Sequence, residues 1–160
     1  MLGQGSFGIT YLATCLGPFG DIYVAIKEFF MSDFNGRRPD GTVTMGAEGG
    51  LVARYGSKFC KEADHPATLR HDGIVRVGEV FDANGTHYYA MNYIDCGNRD
   101  NYLKQCGPLP EGEALSVTRR LAEALSCMHD KHMLHLDVKP KNVILPLEEH
   151  EGGCPPRPAR

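Results

Sequence analysis

At Glu113 the hydrophobic pattern of this chain changes period, and that change limits the fold more than any other feature. Downstream, Ala114, Val117, Leu121, Ala124 and Met128 recur at steps of three and four, which sets one apolar stripe along an amphipathic helix. Upstream, the apolar residues come in short β-rich runs. TYLATC and IYVAIKEFF flank the turn signal GPFGD, and VRVGEVFDANGTHYYAMNYI reads as two strands joined at Asn84-Gly85, a strong hairpin signal. A helix is predicted from Leu51 to about Ala63. The expected class is therefore α+β: a small antiparallel sheet with one helix, followed by a helical second half.

A chain of 160 residues buries about two-thirds of its unfolded surface, enough for one complete domain but not for two. The formal net charge of -3 gives no electrostatic footprint for nucleic acid or an anionic membrane. Six cysteines, at positions 15, 60, 96, 106, 127 and 154, show neither Cys-x-x-Cys pairs nor a regular spacing, and read as reduced, mostly structural thiols. No export signal stands at the N-terminus and no run approaches the ~18 apolar residues of a membrane span, so the cytoplasm is expected. The Gly-, Asp- and Asn-dense stretch from Ser32 to Gly50 is predicted to be a long loop. A division between two lobes is expected around Asp95 to Asp100. The tail PLEEHEGGCPPRPAR holds four of the ten prolines and is expected to be irregular and exposed.

Three motifs carry chemistry. In LGQGSFGIT, Gly3, Gly5 and Gly8 have the G-x-G-x-x-G spacing, which lets backbone N–H groups approach a polyphosphate with no side chain between. Strand signals follow these glycines, whereas a dinucleotide-binding fold needs a helix there. VAIK ends in Lys27, nineteen positions after Gly8, where a cation could meet phosphates beneath the loop. HLDVKPKN supplies Asp137, Lys139 and Asn142. An aspartate can orient an attacking hydroxyl or accept its proton, a lysine two residues on can neutralise a transferring phosphoryl group, and an amide oxygen five residues on can ligate Mg²⁺.

The ordered set of Gly-rich loop, VAIK, a hinge-like MNYI and HLDVKPKN resembles the protein kinase domain from Leu2 to Leu145. Lys139 is similar to the serine/threonine class, and the phrasing LGQGSFGITYLA and VAIKEFFM is similar to bacterial kinases. The resemblance implies a partial kinase domain over residues 1–145, with an N-lobe of about 1–95 and an incomplete C-lobe of about 96–145, before an irregular tail at 146–160. It implies ATP and Mg²⁺ as cofactors and a protein Ser/Thr hydroxyl as substrate. By position, Gly3, Gly5 and Gly8 would cover the phosphates, Lys27 would contact the α- and β-phosphates, and Glu62 would pair with Lys27. Ala25 and Ile144 would sandwich the adenine, Met91 would be gatekeeper, and Asn92, Tyr93 and Ile94 the hinge. Asp137 would be the catalytic base, Lys139 the phosphate-stabilising lysine and Asn142 the metal ligand.

The chain also departs from that pattern. Leu136 replaces the Arg of His-Arg-Asp, which implies that a phosphorylated activation loop does not regulate by that route. His132 stands where glycine commonly closes the long helix, making a left-handed cap less favourable. Pro66 removes the hydrogen bond to the Glu62 carbonyl and predicts a helix that ends or kinks beside Glu62. No aspartate follows Asp137, so the Asp-Phe-Gly segment is missing, and Glu148, Glu149, His150 and Glu151 read as a solvated run. The chain thus reads as truncated at both ends, with apolar surface left exposed. A non-catalytic nucleotide-binding or interaction module, and an aminoglycoside-type phosphotransferase, are the alternative functions.

Overall fold

The computed structural model describes residues 1–18, 20–45, 49–94 and 107–144. The chain separates into two compact units, Met1–Tyr93 and Ile94–Arg160. The expected lobe boundary at Asp95 to Asp100, the tail at 146–160 and the acidic run within it lie outside the described residues.

Strands dominate the first unit. The segments β1 (Gly3–Gly5), β2 (Gly8–Cys15), β3 (Ile22–Phe29), β6 (Val77–Ala83) and β7 (Thr86–Asn92) form one sheet in the order β1-β2-β3-β7-β6. Every neighbouring pair is antiparallel. The β6–β7 connection is the predicted two-residue hairpin, with Asn84 at φ 49° and Gly85 at φ 74°, the left-handed pair that matches the twist of the flanking strands. The helix α1 (Gly49–Ala67) packs against β6 and β7. Val52, Phe59 and Ala63 recur along one face of α1, and they meet Phe29, Met31 and Tyr89 in the core.

Two expectations for this unit are corrected. The stretch from Ser32 to Gly50 is not all loop, because β4 (Asn35–Arg37) and β5 (Val43–Met45) pair antiparallel within it. The Arg38-Pro39-Asp40-Gly41 run supplies their turn, closed by the Gly41 N–H to the Arg38 carbonyl at 2.9 Å. The Val43 N–H donates to the Asn84 carbonyl at 2.7 Å, tying this hairpin to the β6–β7 turn. Nor does α1 stop at Glu62: it runs through Pro66 to Ala67. Pro66 falls in the last turn, so it costs α1 the one hydrogen bond at the Glu62 carbonyl, with only Ala67 left after it in the helix.

In the second unit α2 (Glu111–His129) begins two residues before the predicted change of period. Ala124 is buried, and the rest of the predicted stripe is half-buried. The helix closes through His132, which adopts φ 58°, while the Met133 N–H bonds the Met128 carbonyl at 3.0 Å. A left-handed cap forms here without glycine, at a cost of roughly 1–2 kcal/mol in backbone conformation.

Candidate functional site

Strand alternation on β3 sends successive residues to opposite faces of the sheet. Ala25, Lys27 and Phe29 share one face; Ala25 stands opposite Met91 in β7 and Lys27 stands opposite Tyr89. From α1, Glu62 reaches this face, and Lys27 Nζ donates to Glu62 Oε1 at 3.1 Å. The pairing that the resemblance implied is therefore formed, although Pro66 follows Glu62 by four residues. The Glu62 side chain is 64% exposed, which limits an ion pair of this kind to about 0.2–1 kcal/mol.

The Lys27 ammonium also lies over two rings, 5.4 Å from the centroid of Tyr89 and 5.6 Å from that of Phe59. Burial pulls the Lys27 pKa down, but Tyr89 and Glu62 act against it and the net shift is upward, so Lys27 is a cation at neutral pH. Burial raises the pKa of Tyr89 and keeps its phenol neutral, with Lys27 acting in the opposite direction.

The other face of β3 carries a second cluster. Glu28 is 1% exposed and accepts from Arg37 Nη2 at 2.6 Å, from the Tyr88 hydroxyl at 2.6 Å and from the Tyr11 hydroxyl at 2.9 Å. Burial would raise its pKa, yet these three donors lower it overall, so the buried carboxyl is ionised. Arg37 belongs to β4, and this contact ties the β4–β5 hairpin to the sheet.

The loop glycines divide into two kinds. A Cβ at Gly8 would lie 2.5 Å from the Glu28 carbonyl oxygen, so the close approach of β2 to β3 requires glycine there. Gly3 and Gly5 have open space where a Cβ would stand, and nothing in the sheet requires them to be glycine. At the loop tip Phe7 stacks on Tyr55 of α1, with ring centroids 5.2 Å apart. Asn92 ends β7, and its N–H donates to the Arg76 carbonyl at 3.0 Å; Tyr93 follows, with its ring edge to Tyr23.

In the second unit HLDVKPKN has no regular secondary structure until a 3-10 turn at Pro140–Asn142. Lys139 Nζ lies 2.8 Å from Asp137 Oδ2, and Asn142 Nδ2 donates to the same oxygen at 2.9 Å and to the Asp137 carbonyl at 2.8 Å. Lys139 and then Asn142 hold the Asp137 carboxyl below the usual carboxylate range. The local fold thus gathers the three residues singled out for phosphoryl chemistry. Leu136 adopts φ 59° and is 88% exposed, so it presents its side chain to solvent immediately beside Asp137. Ile144 is 40% exposed and belongs to this unit, whereas Ala25 belongs to the other.

Four contributors escaped the sequence reading: Phe59, Tyr89, Glu28 and Arg37. The alternation that places Met91 opposite Ala25 also places Tyr89 opposite Lys27, so the first ring was accessible from strand register. The pairing of Arg37 with Glu28 carried no local signal.

Among the described residues no group of three or more His, Cys, Asp and Glu side chains could hold a metal ion. No described helix is long and apolar enough to cross a membrane. Among the described residues, Cys15, Cys60 and Cys127 form no disulfide, and Cys15 is exposed rather than structural.

The sequence profile of the protein kinase domain matches residues 1–151. The serine/threonine-protein kinase GIN4 of Saccharomyces cerevisiae is 31% identical over 144 residues, covering 90% of this chain and 12% of its own length. A probable serine/threonine-protein kinase of Clostridium perfringens is 33% identical over 146 residues, 18% of its length. The serine/threonine-protein kinase PknF of Mycobacterium tuberculosis is 30% identical over 131 residues, 26% of its length. Among solved structures, the apo form of PpkA-294 superposes with TM-score 0.74 at 23% identity, a likeness of fold, over 91% of this chain and 52% of that one. A double mutant of the M. tuberculosis PknI kinase domain gives 0.69 at 27% identity, over 93% and 53%. The chain spans about half the length of these solved kinase chains and a smaller share of the curated relatives.

Proposed function

Because the chain belongs to the protein kinase domain family, we propose that it carries the nucleotide-binding and phosphoryl-transfer loops of a serine/threonine protein kinase, whose reaction moves the γ-phosphate of ATP to a protein hydroxyl. The observation that carries this reading is the Asp137 cluster. Lys139 and Asn142 both engage Oδ2 and keep the carboxyl ionised. Oδ1 is then the oxygen that would orient the substrate hydroxyl and accept its proton, while the Lys139 ammonium offsets charge on the transferring group. In the first unit Lys27 is a fixed cation suited to the α- and β-phosphates, and the open backbone at Gly3 and Gly5 admits phosphate oxygens. Ala25, Met91, Asn92, Tyr93, Ile94 and Ile144 are the proposed adenine contacts.

Mg²⁺ is assigned to Asn142 by the resemblance alone; its Nδ2 is turned to Asp137, so its amide oxygen would be the metal-binding atom. Bound Mg²⁺ would neutralise phosphate charge, completing its shell with phosphate oxygens and water. A cytoplasmic location is part of this reading, and the reduced state of Cys15 and Cys127 among the described residues suits it.

A second reading is nucleotide binding without transfer. One experiment addresses both. The chain is titrated with MgADP by calorimetry, then incubated with radiolabelled ATP and casein. Binding that weakens at least tenfold in Lys27→Ala, together with labelled casein, supports the kinase reading. Binding with the same Lys27 dependence and no label selects the second. Absence of binding, or binding indifferent to Lys27, defeats both.

A further inference from the structure

We propose that Phe59 of α1 and Tyr89 of β7 form an aromatic seat that positions the Lys27 ammonium, and that this seat constrains Lys27 more tightly than Glu62 does. This deepens the proposed role of Lys27 as a phosphate contact and rests on that reading for its functional meaning; the seat itself stands on geometry alone.

The two rings approach each other at 4.9 Å between centroids, and the ammonium lies 5.4 and 5.6 Å from their centres, inside the range where a cation is drawn to an aromatic face. Both rings are buried, Tyr89 at 5% exposure and Phe59 at 3%, and both belong to the core that joins α1 to the sheet. They cannot swing away without opening that core. Glu62 differs on both counts, because its carboxylate is mostly in solvent, where water and salt screen the attraction and its own rotamers compete. A cation–ring contact shielded from water is the stronger constraint of the two.

The seat also explains how α1 registers the position of Lys27. Phe59 and Glu62 are three residues apart and so share one face of the helix. Moving α1 away would remove a ring and the carboxylate together, leaving Tyr89 as the remaining partner. Tyr89 is therefore a positioning residue that belongs to the sheet and not to the helix.

Lysine methylation with ¹³C-formaldehyde keeps each ammonium charged and gives each lysine a methyl signal that moves upfield over an aromatic face. Lys58, which lies 5.3 Å from the Tyr55 ring centroid, is the internal comparison with a single ring. Lys27→Arg and Lys58→Arg assign the two signals. In the unaltered chain without nucleotide, the Lys27 signal is expected at least as far upfield as that of Lys58. It should stay there in Glu62→Gln and return toward the exposed lysines in Tyr89→Leu or Phe59→Leu. A Lys27 signal that coincides with the exposed lysines in the unaltered chain overturns the proposal, as does a Glu62→Gln spectrum in which it loses its upfield shift. Both of these outcomes are read without altering the core. MgADP is added last: a seated Lys27 whose signal ignores MgADP leaves the seat intact and refutes the phosphate-contact reading instead.

Discussion

The two units hold their charged groups by opposite means. In the first, Glu28 is buried and its partners Tyr11, Arg37 and Tyr88 come from β2, β4 and β7, up to 60 positions away. In the second, Asp137 is exposed and its partners stand two and five residues along the same loop. A carboxylate of the first kind exists only if the sheet and hairpin have assembled, and it then contributes to holding them together. A carboxylate of the second kind is arranged by local backbone and is left accessible to a reacting molecule. Substitutions should therefore separate the two, with stability lost in one place and chemistry in the other.

The largest expected effect is at Arg37. Arg37→Ala leaves Glu28 ionised and buried with only two phenols to answer it, and should destabilise the chain by about 3 kcal/mol or more. Urea denaturation followed by circular dichroism reads this; a loss under about 1 kcal/mol would mean that water reaches Glu28 and that the contrast between the units is weaker than drawn. Tyr88→Phe should follow at about 2 kcal/mol, since it removes a hydrogen bond to a charged group and leaves Glu28 Oε1 without that donor.

Acid should act on the same cluster. The pKa of Glu28 is lowered in the folded chain, so its contribution is fully present above the unfolded value of about 4.3 and disappears as pH falls through the lower folded value. Asp137 is also lowered, but it is exposed. Glu28→Gln should therefore flatten the loss of stability below about pH 4.3, and Asp137→Asn should leave that slope nearly unchanged.

These differences match what could be read from the sequence. HLDVKPKN was legible because its geometry is local: residue types at offsets of two and five determine which groups meet. The sheet was legible where strands alternate and where Asn84-Gly85 requires a particular turn. The pairing of Lys27 with Glu62 came from resemblance, and the helix end expected beside Glu62 was placed four residues too early because Pro66 is accommodated in the last turn, with only Ala67 after it. The β4–β5 hairpin was missed for a different reason. Its strands are three residues long, too short to show alternation, and what secures them is Arg37 reaching a glutamate on β3 and Val43 reaching the β6–β7 turn. Composition described that segment as loop; only the tertiary partners make it a hairpin.

Smaller effects are expected in the second unit. His132 is exposed at φ 58°, so His132→Gly relieves backbone strain without removing buried contacts and should stabilise the chain by about 1 kcal/mol. An unchanged urea midpoint would mean that the folded end of α2 contributes little to the measured transition.

Asp137→Asn should be the quietest change in stability and the loudest in chemistry. The carboxylate is exposed, so its interactions with Lys139 and Asn142 are close to those water would supply, and the urea midpoint should correspond to a change within about 0.5 kcal/mol. The asparagine keeps the size of the side chain and can still accept from Asn142, but it has no charge for Lys139 and cannot take a proton from a hydroxyl. Labelled casein, if the parent chain produces it, should fall to background in this variant while MgADP binding, proposed to depend chiefly on Lys27, changes little. A loss of several kcal/mol on Asp137→Asn would show instead that the loop is held by its charges. It would then resemble the Glu28 cluster in kind, and the division between a carboxylate that holds the fold and one left available for reaction would not hold for this chain.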